Sequence, residues 1–411
     1  MATAKEYLDK FGVEAAVAKA VTQVLKERPS DPLSAIGNLL LGASSAKPLE
    51  TRRLGKTGFE VTTVGMGCWQ IGGCWTSANE TATHKAALNA YLDAGANLLD
   101  TANVYGGDYG TERFGWSEKT ICEVLAERKA AGKDAGRRIY IATKAGRAPT
   151  TAAPGDHDAS RYTYAALAES LAESSKRLGV ECVDLLQLHC PPPEVLAAGS
   201  ATYDALNQLK SEGKILHWGV SVETVEEAML AIAQPQCATI QIIYNMLRQR
   251  PSEAFLKAAK AADVGTLVRL PLASGLLAGK VDEAYLAKLD DGDHRKFNTA
   301  GAAFDKGETW SGLGEHLKEV ALPAVEQLKA AHKGAIERKE LPGTATLGQL
   351  ALRWILDTEG ATCVIPGART IEQVEGNLGA CGLPKVSEVV NKQVKEVYDA
   401  TVKAVIEKEK W

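Results

Sequence analysis

Four side chains of this 411-residue sequence are of types that together can move a proton onto oxygen: Asp100, Tyr105, Lys144 and His189. A tyrosine with a pKa near ~10 is a poor acid at neutral pH unless a cation stabilises its phenolate. Lys144 can supply that cation, and Asp100 can keep the lysine charged and oriented. His189 can hydrogen-bond a carbonyl oxygen and fix its position. This is the equipment for delivering a proton to an alkoxide as it develops on a carbonyl. No strong protein nucleophile accompanies the set, so the carbonyl carbon must receive its partner from outside, and hydride is the natural candidate.

Each of these residues stands at or just beyond the end of a short apolar run. Eight such runs follow one another: Val61 to Gly67, Asn97 to Ala102, Ile139 to Lys144, Asp184 to His189, His217 to Ser221, Thr239 to Asn245, Gly265 to Leu272 and Thr362 to Gly367. The stretches between them carry Ala, Leu, Glu and Lys at helical spacing, as with Leu167, Ala168, Leu171 and Leu178. Strands alternating with helices pair in parallel, because each return needs a crossover. Eight units predict a closed (β/α)8 barrel, whose chemistry sits at the C-terminal ends of its strands. Those ends deliver Asp100, Lys144, His189, Ser221, Gln241 with Asn245, and Arg269, in that order. A doubly wound sheet is the competitor. Gly65, Gly67 and Gly72 imitate its phosphate loop, but no acidic residue closes a second strand at the expected distance. Ahead of the first strand, Arg52 to Val61 reads as a hairpin turning at Gly55-Lys56-Thr57-Gly58. The long segment Val281 to Pro342 has the length of a functional flap before it turns helical.

Composition narrows the partners. Lys and Arg number 47 against 51 Asp and Glu, a net charge of −4, which argues against nucleic acid or an anionic membrane as the main partner. No apolar run reaches the ~18 residues of a membrane span. Eight scattered cysteines predict reduced thiols and a cytoplasmic location. Cys68 and Cys74 lack a second Cys or His pair at zinc spacing, so no metal is expected. Glu6, Asp9, Glu14, Glu27 and Asp31 make the first stretch too acidic for a transit peptide.

The motifs LLDTANVYG (Leu98 to Gly106), IYIATK (ending at Lys144), DLLQLHCPP (Asp184 to Pro192) and VIPGARTIEQVEGNL (Val364 to Leu378) resemble the aldo-keto reductase family over about residues 51 to 400. The resemblance implies an NADPH-dependent reductase of aldehydes or ketones on a barrel domain of residues 49–400. It makes Tyr105 the general acid, tuned by Lys144 and Asp100, with His189 orienting the carbonyl. Ser221 and Gln241 match the positions that hold the nicotinamide carboxamide. After the eighth run, Gly367 and Arg369 precede a helix opening near Ile371, and a helix start favours phosphate. Arg369 is placed to grip a 2′-phosphate, and Gln373 and Asn377, one turn apart, to edge the adenine. The run Pro271 to Lys280 resembles the loop that crosses the cofactor pyrophosphate, through Leu272, Ser274 and Leu276, with Gly275 and Gly279 allowing close approach. Trp69, Trp75 and Trp310 are candidate walls of an apolar substrate slot. Two positions depart from the family pattern. Val222 follows Ser221 where an Asn is usual, and Arg269 stands where an aromatic often stacks on the nicotinamide. A cation there disfavours NADP+ relative to NADPH.

Residues 1–48 stand outside the barrel pattern, and 401–411 form a helical tail. Val13 to Lys26 reads as an amphipathic helix, Asp31 as an N-cap with Pro32 at the first helical position, and Leu33, Ile36 and Leu40 as a second apolar face. Two such helices cannot bury a core alone. Tyr7 to Leu40 resembles the dimerisation/docking module of the cyclic-AMP-dependent kinase regulatory subunit. That resemblance implies self-association, an amphipathic anchoring helix as partner, and a ciliary or flagellar axoneme as one attachment site. A second reading therefore stands beside the reductase: an NADPH-binding scaffold or redox-sensing subunit with little turnover.

Overall fold

The segment between Thr51 and Thr62 folds back on itself. Strand β1 (Thr51–Arg53) runs antiparallel to β2 (Glu60–Thr62), with Arg52 opposite Val61 and a 3-10 turn over Gly55–Thr57. Gly55 holds φ +50°, and a Cβ there would lie 2.1 Å from the backbone nitrogen of Gly265, so only glycine fits. The expected hairpin is present, but it takes part of the run read as the first barrel strand. Glu60–Thr62 pairs with β1, while the barrel strand is the short β3 (Met66–Gly67). An apolar run signals extended backbone and carries no information about which sheet receives it.

The computed structural model describes residues 13–28, 31–33, 35–36, 48–72, 80–106, 114–134, 136–147, 158–289 and 316–408. From β3 onward each strand is parallel to its predecessor: β4 (Leu98–Asp100), β5 (Tyr140–Ala145), β6 (Val183–His189), β7 (Ile215–Ser221), β8 (Thr239–Ile243), β9 (Gly265–Arg269) and β10 (Cys363–Val364). Parallel bridges from Val64 to Val364 and from Gly67 to Gly367 close the ring. Gly65 N–H donates to Val364 O at 2.8 Å, and Gly67 N–H to Pro366 O at 3.0 Å. A Cβ on Gly67 would lie 2.8 Å from Ile365 O, so the seam also requires glycine. The (β/α)8 barrel is therefore the fold.

Inside its N-terminal end, Leu98, Ala142, Leu185, Leu267, Cys363 and Ile365 pack on Leu54 and Val61 of the hairpin. Phe59 adds a ring stacked on Tyr140 at 4.3 Å. That end is an apolar plug, which leaves the opposite end for chemistry. The helices wrap the outside as their periodicity predicts: in Tyr164–Leu178, Leu167, Leu171 and Leu178 are buried, Thr163 caps the start and Gly179 at φ +68° ends it. Within the Val281 to Pro342 segment, Leu317–Ala321 is a π turn leading into the helix Leu322–Glu337. Pro323 has no N–H to give the preceding turn, which accounts for the wider winding. Trp310 and residues 290–315 of that segment, the greater part of the expected flap before it turns helical, lie outside the described residues.

The chain divides into two compact units, Met1–Pro48 and Leu49–Trp411. In the first, the helix Val13–Glu27 buries Ala20 and Val24 and leaves Val17, Val21 and Leu25 exposed. Pro32 and Leu33 are helical, with Ala35 N–H bonded to Asp31 O at 3.2 Å. In the second, Glu388–Val397, a π turn at Tyr398–Val402 and Lys403–Lys408 form one helical run, with Val402 and Ile406 buried in the main core.

Candidate active site

Alternation along a strand decides which side chains enter the barrel. Asp100 shares its face of β4 with Leu98, Lys144 shares its face of β5 with Ala142, and Gln187 and His189 follow Leu185 on β6. The register sets Lys144 beside Gln187, His189 beside Ser221, and Ser221 beside Gln241. All six are buried. A polar layer thus lies directly above the apolar plug.

Lys144 is the hub. Its Nζ donates to Asp100 Oδ2 at 2.6 Å, to Thr101 O at 2.9 Å and to Tyr105 Oη at 3.2 Å. An ammonium has three N–H donors, and each has an acceptor. The third points into the phenol oxygen, so the proton of Tyr105 must point elsewhere. Asp100 Oδ1 accepts from Gln187 Nε2 at 3.1 Å and from Gln241 Nε2 at 2.8 Å. The His189 ring meets Tyr105 edge-on at 6.0 Å, and Trp69 lies 6.2 Å from Tyr105 on another side.

Burial is the largest influence on Lys144 and would lower its pKa, but Asp100 and Tyr105 more than offset it and hold it above its usual value. Burial raises the Tyr105 phenol, and the Lys144 ammonium opposes this without overcoming it. The sequence pointed to the lysine's pull alone, because burial of the phenol is invisible there. His189 is held well below its usual range, first by burial and then by Arg147, Lys144 and Arg269. Its Nδ1 is buried without a hydrogen-bond partner among the described residues. A neutral imidazole follows, with no proton gained as pH falls through the ordinary histidine value. A reaction that relies on this imidazole should therefore stay level from about pH 8 to about pH 6. A fall in kcat/KM centred near the ordinary histidine pKa would show that His189 titrates normally.

The other sequence-predicted positions fall in two places. Ser221 is buried, with its Oγ 3.9 Å from Cys190 Sγ, and Gln241 turns its amide nitrogen inward to Asp100 and Gln187. Val222 is buried and apolar, and its carbonyl accepts from Arg269 Nη2 at 3.2 Å. After β9 the backbone takes positive φ at Leu270, Ala273, Ser274, Gly275 and Gly279. Three of these five are not glycine, a concentration of strain characteristic of functional loops. Leu276 is buried in the core, and Leu272 and Ser274 are half-buried.

At the eighth strand end, Thr370 caps the helix Ile371–Leu378, and Gly367 is exposed ahead of it. Gln373 Oε1 accepts from Arg369 N at 2.7 Å, and Asn377 Nδ2 donates to Gly367 O at 3.3 Å. Both side chains thus brace the turn that presents Arg369, a local task the spacing did not reveal. Trp75 lies outside the described residues. Gln187 escaped the sequence reading, although a glutamine two residues before His189 in an otherwise apolar strand was the available signal.

A (β/α)8 barrel with a buried Asp–Lys–Tyr chain and a histidine at its mouth defines a class of enzyme that handles protons at oxygen. Comparison with known proteins then gives the family. Residues 63–399 match the Aldo/keto reductase family, and the chain belongs to it as an oxidoreductase. Aldo-keto reductase YhdN of Bacillus subtilis is 31% identical over 330 residues, 80% of this chain and 87% of that protein. L-glyceraldehyde 3-phosphate reductase of Escherichia coli K12 is 27% identical over 340 residues, 81% of this chain and 87% of that one. Among solved structures, the glycerol dehydrogenase of Gluconobacter oxydans aligns with a TM-score of 0.64 at 24% identity, covering 86% of this chain and 96% of that chain. An aldo-keto reductase of Klebsiella pneumoniae in complex with NADPH aligns with a TM-score of 0.57 at 21% identity, covering 85% and 95%.

Proposed function

We propose that this chain reduces a small aldehyde or ketone to an alcohol, with NADPH as cofactor and Tyr105 as proton donor. The observation that carries the reading is the third N–H of Lys144 aimed at Tyr105 Oη, which leaves the phenolic proton for an outside acceptor. NADPH, when bound, supplies a hydride to the carbonyl carbon. Tyr105 gives its proton to the carbonyl oxygen, so hydride and proton together complete the alcohol. Lys144 stabilises the phenolate left behind, and Asp100 keeps Lys144 charged and aimed. Neutral His189 orients the carbonyl oxygen, and Trp69 forms part of an apolar wall.

The cofactor's needs fit the residues. The strained loop carrying Leu272, Ser274 and Leu276 suits a pyrophosphate, Ser221 and Gln241 a carboxamide, and Arg269 the nicotinamide side of the mouth. Arg369, beside a capped helix start, suits a 2′-phosphate. Arg369→Met should weaken NADPH binding about 10–100-fold, the worth of a hydrogen bond between charged groups. NADH, which lacks that phosphate, should bind both forms alike in a fluorescence titration. Equal losses for both cofactors would count against the assignment.

A tethered form of the same enzyme is our reading of residues 1–48, with the scaffold role as the alternative. The exposed Val17, Val21 and Leu25 support it, since an apolar helix face seeks cover. A second copy would cover that face, and the groove so formed would take an anchoring helix, on an axoneme or another cytoplasmic scaffold. Light scattering should find a dimer for the full chain and a monomer for residues 50–411; two monomers would end the idea.

A further inference from the structure

One buried polar side chain inside the barrel mouth has no task in the reaction just described. Gln187 is fully buried in the middle of β6, registered beside Lys144 on one neighbour and Gly219 on the other. Two residues earlier the same face carries Leu185, so an apolar residue would satisfy packing here. The amide is instead engaged at both its nitrogen and its oxygen. Its Nε2 donates to Asp100 Oδ1 at 3.1 Å, and its Oε1 accepts from Gln241 Nε2 at 3.1 Å. Gln241 Nε2 donates to the same Asp100 oxygen at 2.8 Å. These three bonds fix the amide's orientation, because a flipped Gln187 would set its oxygen against the carboxylate. With Oδ1 occupied by two amides, Asp100 has only Oδ2 to offer Lys144.

We propose that Gln187 is a positioning residue for proton transfer, holding Asp100 so that Oδ2 alone faces Lys144 and the third lysine N–H is aimed at Tyr105. Gln187 acts through Asp100 and touches none of the reacting atoms. The proposal rests on Tyr105 being the proton donor. Its second consequence is electrostatic. The two amide donors share the Asp100 charge, which would otherwise act more fully on Lys144 and Tyr105. Among the described residues, the charged and titratable groups around Tyr105 are Asp100 from β4, Lys144 from β5, His189 from β6 and Arg269 from β9. The buried Cys68 thiol, just beyond β3, lies within reach of Asp100 and Lys144. Removing one amide donor leaves more carboxylate charge facing the phenol, which then keeps its proton to higher pH.

The test uses the full chain with Gln187→Met, which keeps the length and loses the donor, and Gln187→Glu, which adds a carboxylate. Wild-type turnover and its loss in Tyr105→Phe are measured alongside, so failure of the reductase reading is recognised separately. With Gln187→Met, kcat should fall about 10-fold while the Kd for NADPH changes by less than about two-fold. The upper limb of kcat/KM against pH should move to higher pH, and further still with Gln187→Glu. Wild-type kcat with an unmoved limb would overturn the proposal, as would a lowered kcat with an unmoved limb, the mark of a merely structural role. If the Met variant does not fold, the Glu variant decides alone, since it has the same shape: a limb that stays put defeats the proposal.

Discussion

Tyr105→Phe should lower kcat for carbonyl reduction by about 10²–10⁴-fold, the usual worth of a positioned general acid. The substitution removes one oxygen and keeps the ring, so the edge contact with His189 at 6.0 Å and the neighbouring Trp69 at 6.2 Å persist. Lys144 loses one of three acceptors and keeps Asp100 and Thr101, so the barrel should fold and bind NADPH as before. Loss of NADPH absorbance with a panel of aromatic aldehydes and dicarbonyls measures the rate, and fluorescence measures the binding. Turnover that survives in the variant would remove Tyr105 from the proton path. Tight NADPH binding without turnover in the wild type would favour the scaffold reading.

The second large effect concerns Lys144→Met. Lys144 and Asp100 are both buried, with 2.6 Å between Nζ and Oδ2. Breaking a buried pair by deleting one partner strands the other charge, at a cost of about 3–5 kcal/mol. Stability to denaturant should fall accordingly, and activity should fall with it, because the phenolate loses its counter-ion. The double variant Asp100→Asn with Lys144→Met should regain most of the stability and none of the activity. A single variant as stable as the wild type at neutral pH would show that water reaches Asp100.

The barrel was legible because its strands are short, apolar and evenly separated by helical stretches, and the four polar residues stood at or just past their ends. Three features were not. The run from Val61 to Gly67 concealed a boundary between hairpin and barrel, since alternation is the same in both. The strained loop announced itself through Gly275 and Gly279, whereas Leu270, Ala273 and Ser274 share the left-handed backbone without any mark in their side chains. The Gln187, Gln241 and Asp100 triangle joins residues from three different strands, and only the register of the closed barrel puts them in reach.

The seam of the barrel bears on how the chain reaches this state. Thr62 O accepts from Cys363 Sγ across 301 positions of sequence, and the bridges from Val64 to Val364 and Gly67 to Gly367 span similar distances. Contacts so far apart are the slowest to form, because the whole intervening loop must be ordered before they offer any return. Until β10 arrives, β3 and β9 present bare edges to any other strand nearby. The growing chain therefore carries its greatest risk of misassociation late, in the interval between completing seven barrel strands and placing the eighth.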